Sequence, residues 1–279
     1  MNVVEIKKTS GEREEFSDKK LKHSLQRAGA DNDQAERILQ EVKRRLYPGM
    51  STRKIYRLAF RLLKKESKKV AANYSLKKAI LDLGPSGYFF EKFIAAIYRA
   101  KGHQTEVEKT FRGHCISHEV DVIAENEQEK LFMECKFHNS PNKKNDIKTA
   151  LYVHARHLDL KKGKQVPSYD QYCLVSNTTF SEDAIQYANC VGLKLIGLNT
   201  PEEETLHDMI RNLGLHPLTC LKKLRVRDKV LLMEEGFVLC HEILMDKQIL
   251  DEIGLDHKGK VAALNEIRAI LNHNTPPED

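Results

Sequence analysis

A chain of 279 residues, 41% apolar and 31% charged, has the composition of a folded protein with material for two or three cores, unlike a disordered or membrane-embedded sequence. No apolar run approaches the roughly 20 residues that span a bilayer, and the opening MNVVEIKKTSGEREEF puts acids where a secretory signal carries its apolar stretch, so a cytoplasmic location and no membrane partner are expected. The net charge of +6 is unevenly placed: residues 1–83 carry 21 basic and 11 acidic side chains, and residues 84–279 carry 25 and 29.

Residues 1–83 read as a short β-hairpin followed by helices. VVEIKK and REEF are the strands, SG is the turn, and Ser17 or Asp18 caps the first helix. Further helices are predicted at about 32–46, 51–66 and 68–82, with YPGM (47–50) as a break and LGPSG (83–87) as a stop. Along this stretch Arg53, Lys54, Arg57, Arg61, Lys64, Lys65, Lys68 and Lys69 are opposed only by Glu66. Such density favours a phosphate-bearing partner, nucleotide or nucleic acid; the alternative is an ordinary solvated face.

From residue 85 the pattern is that of an α/β layer. A helix carries Tyr88, Phe89, Phe93, Ile94 and Ile97 on one stripe, and strands follow near 104–112, 117–125 and 130–138. A helix near 144–160, a strand at 169–177, a helix at 181–191 and a strand at 193–198 complete it. After Pro201 strand signals cease and short helices run to 258–271, so the expected architecture is a multi-domain α/β protein divided as 1–83, 84–200 and 201–279. IGLDHKGKVAALNEIRAIL is similar to helix-hairpin-helix or sterile-alpha-motif-like modules, in which backbone amides can meet phosphates. A packing or oligomerisation module is the alternative, and the closing NHNTPPED is expected to be disordered.

The chemistry lies in two successive strands. Strict alternation places Glu119, Asp121 and Ile123 on one face and Val120, Val122 and Ala124 on the other, and it groups Glu134, Lys136 and His138 on the next strand. With 126–129 as the connecting loop, Glu125 pairs with Lys130 and Asp121 falls opposite Glu134. Opposed carboxylates repel, and burying them uncompensated costs more. A cation is implied: Mg²⁺ or Mn²⁺ held by Asp121, Glu134 and the carbonyl of Cys135, with Lys136 on the same face to orient water or neutralise a phosphate. The six cysteines form no CxxC. Cys115-x-x-His118 and Cys135-x-x-His138 imitate a zinc spacing, but residues three apart on a strand point to opposite faces.

GPSGYFFEKFIAAIYRAKGH followed by HEVDVIAENEQEKLFMECKFHN resembles the Mrr-like branch of the PD-(D/E)XK restriction endonucleases, over about residues 85–199. The resemblance implies a mixed-sheet nuclease core, Asp121 and Glu134 as metal ligands, Lys136 as the catalytic lysine and Glu91 as an auxiliary acid on the first helix, a surface ion pair being the alternative for Glu91. Ser176, Asn177 and Thr178 either line the same cleft or form an ordinary strand-to-helix turn. VVEIKKTSGEREEFSDKKLKHSL resembles the ATP-cone, the regulatory domain of ribonucleotide reductases, with a likeness that continues to about residue 83. It implies Ile6 on the base, Lys8 and Lys20 on phosphates, Glu14 and Ser17 on the nucleotide, and Thr52 and Tyr56 at later contacts. Thr9 stands where a basic residue is usual and Tyr56 where histidine is common, which leaves the choice between ATP and dATP open. No GxxxxGK[ST] occurs, so the nucleotide is expected as effector and not as fuel.

The resulting expectation is a metal-dependent endonuclease of DNA, regulated by ATP or dATP and acting as a homo-oligomer in defence or DNA processing. Two rivals stand beside it: a nuclease of the same fold acting on RNA, and a non-catalytic nucleotide-responsive nucleic-acid-binding protein.

Overall fold

The structure, a computed structural model, describes residues 4–8, 11–141 and 143–271. Thr9 and the closing tail from 272 lie outside the described residues. The chain falls into two compact units, one of residues 1–76 with the end of the last helix from 265, the other of residues 77–264.

In the first unit β1 (Glu5–Lys7) pairs antiparallel with β2 (Arg13–Glu15), and α1 (Asp18–Arg27) and α2 (Asn32–Arg44) follow. A two-residue strand, β3 (Met50–Ser51), then returns parallel to β1, and α3 (Thr52–Glu66) and α4 (Lys68–Tyr74) close the unit. Ser17, Asp31, Ser51 and Ser67 each precede a helix and accept the backbone N–H three residues on, which fixes where α1, α2, α3 and α4 begin. Of the two candidate caps, Ser17 is the one used. The helix expected over 68–82 is broken: the buried Ser75 donates its hydroxyl to the carbonyl of Ala72, and a new helix, α5 (Leu76–Leu81), starts after it. Leu25, Ile38, Leu58 and Leu63 fill the core of the unit, with Ile6 and Met50 of the small sheet packed among them.

The second unit continues through α6 (Tyr88–Ala100), β4 (Gln104–Arg112), β5 (Ser117–Glu125), β6 (Lys130–Lys136), β7 (Lys144–Asn145), α7 (Ile147–Lys161), β8 (Gln171–Ser176), β9 (Thr179–Phe180), α8 (Glu182–Val191) and β10 (Lys194–Ile196). Five strands form one mixed sheet in the order β10-β8-β6-β5-β4, antiparallel among β4, β5 and β6 and parallel from β6 to β10. The short strands β7 and β9 pair with each other apart from it. After it come α9 (Leu206–Leu213), α10 (Val226–Glu234), α11 (Cys240–Met245), α12 (Ile249–Glu252) and α13 (His257–Leu271), the last running on into the first unit. The helical character expected beyond Pro201 is present, with an isolated bridge between Pro217 and Leu239.

The turn between β5 and β6 is set by Asn126, whose side-chain oxygen accepts the N–H groups of Gln128 and Glu129. That closes the hairpin with Glu125 opposite Lys130, the register that alternation and a four-residue loop predict. The expected alternation nevertheless fails at Asp121. The β4–β5 ladder runs from Gln104↔Glu125 to Val107↔Val122, skips Glu108 and Asp121, and resumes at Lys109↔Val120. Glu108 holds φ at 54°, a conformation unusual for a residue with a side chain. Beyond the skip the faces are exchanged: Val120 joins Ile123 and Phe132 in one apolar cluster, and His118 reaches Asp159 on α7. Strict period-2 reading would separate these residues. The local distortion on both strands inverts the order without changing the residue count.

The end of β6 is braced by a buried polar network. Asn177 accepts from the His138 N–H at 2.8 Å and donates to the His138 carbonyl at 2.9 Å. Asn145 joins His138 Nε2 to the hydroxyls of Ser176 and Thr178, and Ser176 donates to the Lys136 carbonyl. Ser176, Asn177 and Thr178 are therefore buried supports for residues 136–138, not cleft-lining groups. Buried polar groups left without partners cost about 1–3 kcal/mol each. Asn177→Ala, which strands both polar groups of the His138 backbone, is expected to lower stability by about 2–4 kcal/mol in urea unfolding at unchanged m-value; a loss under about 0.5 kcal/mol, the range of ordinary surface changes, would show that the brace is dispensable.

Candidate active site

Three carboxylates gather where the sheet is distorted. β5 and β6 pair as far as Val122↔Met133, so Asp121 and Glu134 stand at the next step of the register, just past the last pair. There the Cys135 N–H is donated to Asp121 Oδ2 at 2.6 Å. Glu134 faces α7 and is bonded by Arg156 Nη1 at 2.6 Å, with both side chains almost covered. The other arm of the same guanidinium donates to the Glu119 carbonyl, and its plane lies near the Tyr152 ring. Glu91, in the first turn of α6, supplies the third carboxylate.

The electrostatics follow from burial and like charge. Burial, then the nearby Asp121, push the Glu134 carboxyl up to about 7, against the pull of Arg156 and Lys136. Glu91 is likewise raised to about 7, by burial first and then by Asp121 and the other acids around it. Asp121 is raised by burial despite its bond from the Cys135 N–H. One buried arginine thus leaves the group short of positive charge. Arg156 is itself incompletely satisfied, since its buried Nε has no hydrogen-bond partner.

The residues expected to act on a phosphodiester are brought together in part. Asp121, Glu134 and Glu91 share one electrostatic neighbourhood, and Lys136, two residues beyond Glu134, is exposed and pairs in the sheet with Ser176. Among the described residues no three His, Cys, Asp or Glu side chains form a ready metal cluster. The available donors are the oxygens of Asp121 and Glu134 and the backbone carbonyl of Cys135, a set that suits a hard divalent ion. Neither zinc-like pair converges: His118 is bonded to Asp159, while His138 is held by Asn145. Arg156 escaped the sequence reading because it sits within a helix and belongs to no motif. Only its place one turn beyond Tyr152 on α7 hints at a shared face.

In the first unit, Glu14 lies between Lys8 and Lys20, at 3.3 and 3.0 Å. Ser17 starts the same helix that carries Lys20. The pairing of Lys7 with Ser51 brings the start of α3, and so Thr52, beside the strand that leads to Lys8. Tyr56 stacks on Tyr74 with centroids 5.1 Å apart. Ile6 is buried in the core of the unit.

Residues 4–82 match the ATP cone domain family, 84–201 the family described as Restriction endonuclease, and 216–271 the family described as AF1548-like, C-terminal. An uncharacterized protein of Archaeoglobus fulgidus is 35% identical over 181 residues, 64% of this chain and 99% of that protein. A crystal structure of AF1548, described as a protein of unknown function, superposes with a TM-score of 0.57 at 33% identity, covering 67% of this chain and 99% of that one. The chain is an ATP-cone domain followed by a restriction endonuclease domain. These two domains suggest a nuclease with nucleotide regulation and imply nucleic-acid and nucleotide binding. Nuclease domains of this kind generally use divalent metals. Among the described residues no helix is long and apolar enough to cross a membrane.

The raised carboxyls have a measurable sign. Glu134 titrates near 7 when folded and at about 4.5 in the unfolded chain, so the folded protein holds the extra proton between those values. The associated stability is full below the unfolded value and is lost as pH rises through about 7. Metal-free wild-type protein is expected to melt at progressively lower temperature across that window, and Glu134→Gln to fall less steeply. Parallel melting curves for the two proteins across the window would refute the assignment.

Proposed function

We propose that this protein is an endonuclease that hydrolyses phosphodiester bonds of DNA with Mg²⁺ or Mn²⁺, under control of ATP or dATP. Its segments are taken as a nucleotide-sensing part (1–83), a nuclease part (84–200) and a helical module (201–279). The observation that carries the reading is the anionic group of Asp121, Glu134 and Glu91, raised in pKa at a break in the sheet and only partly offset by Arg156. Asp121, Glu134 and the Cys135 carbonyl are the groups that would hold the ion. When bound, a divalent ion polarises the scissile phosphate and lowers the pKa of an attacking water.

The chain's own residues supply the remainder. Lys136 meets negative charge on the phosphate from the exposed end of β6, where Ser176 fixes its carbonyl. Arg156 orients the Glu134 carboxylate from behind. Glu91, near 7, is able to hold or release a proton at working pH. Lys8, Glu14, Ser17 and Lys20 form the proposed phosphate end of the nucleotide site, with Ile6, Thr9, Thr52 and Tyr56 as its further members by resemblance. A homo-oligomeric enzyme in defence or DNA processing is the setting that fits a nucleotide-controlled nuclease.

Purified protein is expected to cut DNA in a panel of single-stranded DNA, duplex DNA and RNA when Mg²⁺ or Mn²⁺ is added, and to be silent with chelator. Asp121→Ala, Glu134→Ala and Lys136→Ala should each lower the cleavage rate by at least about 10²-fold without loss of fold. Undiminished cleavage by Asp121→Ala would end the active-site assignment, and cleavage of RNA alone would transfer the substrate. For the effector, calorimetry should show ATP or dATP binding, weakened about tenfold or more by Lys8→Ala or Lys20→Ala, each of which removes one charge-assisted contact. Absence of binding at millimolar nucleotide would remove the regulatory half of the reading.

A further inference from the structure

The charge excess of the first 83 residues is not used up by the nucleotide site. Several of its acids are engaged elsewhere: Glu14 between Lys8 and Lys20, Asp18 with Lys43, Glu36 with Lys22, Glu41 with Arg44 and Arg45, and Glu66 with Arg37. Glu66, the one acid of α3, is turned toward α2, where Gln34 also donates to it. Lys54 bonds the Tyr47 hydroxyl and Lys64 approaches Glu266. Arg53, Arg57 and Arg61 are left exposed on α3, and among the described residues none of the three has an acid within ion-pair distance.

Their spacing makes these arginines a row. Residues four apart on a helix are separated by about 6 Å of rise and turned by only about 40°, so the three guanidiniums line one edge of α3 over about 12 Å. Thr52 and Tyr56 precede Arg53 and Arg57 by one position each, which turns them about 100° away, and Tyr56 is half-buried against Tyr74. The row therefore stands apart from the residues aligned with the nucleotide. Among the described residues no large apolar side chain of α3 is exposed, so the edge lacks the apolar half that a membrane-surface helix requires.

We infer that Arg53, Arg57 and Arg61 form a nucleic-acid backbone site on the first unit, separate from the active-site carboxylates and from the nucleotide site. The inference rests on the proposed nucleic-acid-directed function for the identity of its partner. A strand of phosphates is the ligand that complements an unneutralised line of guanidiniums: each fork takes one phosphate, and each contact displaces condensed counterions. The contacts carry no base information, so this site adds grip and salt sensitivity without sequence choice.

The test uses full-length protein, a fluorescent DNA duplex and chelator, so that binding is read without cleavage. The variant Arg53→Ala, Arg57→Ala, Arg61→Ala is expected to reduce the slope of log affinity against log salt by roughly 2–3, at about 0.9 per lost phosphate contact. Affinity at low salt should fall by at least tenfold while calorimetric nucleotide binding is unchanged. Arg53→Lys, Arg57→Lys, Arg61→Lys should keep most of the slope. If the alanine variant melts early, Arg57→Glu alone should still lower the slope by about 1 or more. Unchanged slope and affinity would overturn the site. Equal, arginine-dependent binding to phosphatidylserine vesicles would overturn its assignment to nucleic acid. Failure of wild-type protein to cleave with Mg²⁺ would count against the nuclease reading and leave this slope difference standing.

Discussion

Two carboxylates, Asp121 and Glu134, stand at the same step of neighbouring strands, just past the last pair and in partial burial, and the surrounding structure is arranged around that repulsion. Left unanswered, such a pair would drive one member to protonate or the hairpin to slip. The protein answers it in three ways. The β5–β6 ladder ends one step before the pair, the Cys135 N–H is turned onto Asp121, and Arg156 is brought in from α7 to Glu134. None of these cancels the charge, and burial first, then the remaining like charge, still holds Glu134 and Glu91 near 7. The residual deficit is a physical reason to expect a cation. A fully compensated site would have no use for one.

The distortion at Glu108 and Asp121 gives the same site its shape. An undisturbed strand would direct Asp121 squarely to one face of the sheet. By exchanging faces between Val120 and Val122, β5 puts Asp121 at the crossover, where it is felt both by Glu91 from α6 and by Glu134 beside α7. Firm flanks are needed for this. On one side Asp159 takes the N–H groups of Cys115 and Ile116 together with His118, pinning the β4–β5 turn to α7 and holding the Asp159 carboxyl far below the ordinary range. On the other, Asn145 and Asn177 fix the chain just after Lys136. Such packed supports reduce the freedom of the groups that must meet a phosphate.

In the first unit, electrostatics again decides which groups are available. Lys8 and Lys20 already share Glu14, so an arriving phosphate competes with an internal carboxylate. That competition gives a nucleotide a means of altering the hairpin and α1 together, although it biases activity only where the two states differ in affinity for it. Among the described residues the arginines of α3 have no acid within ion-pair distance, which is the opposite situation.

What the sequence determined by itself is local or strictly periodic. Alternation with 126–129 as the connecting loop was enough for the β5–β6 register, and the charge count for the basic bias of the first 83 residues. The motif resemblances singled out Asp121, Glu134, Lys136 and Glu91. What tertiary structure decided is whatever depends on partners distant in sequence. β3, β7 and β9 are two-residue strands with no periodicity to detect, existing only because another strand lies alongside. Arg156 became a partner of Glu134 across 22 residues, and Ser176, Asn177 and Thr178 became buried supports only once β8 lay beside β6. The inversion at Asp121 was likewise hidden, because period-2 reading assumes an unbroken ladder and nothing in the residue types of Glu108 or Asp121 announces a skipped pair. Side-chain direction along one strand is encoded locally; the neighbour that neutralises, braces or displaces it is chosen by the fold.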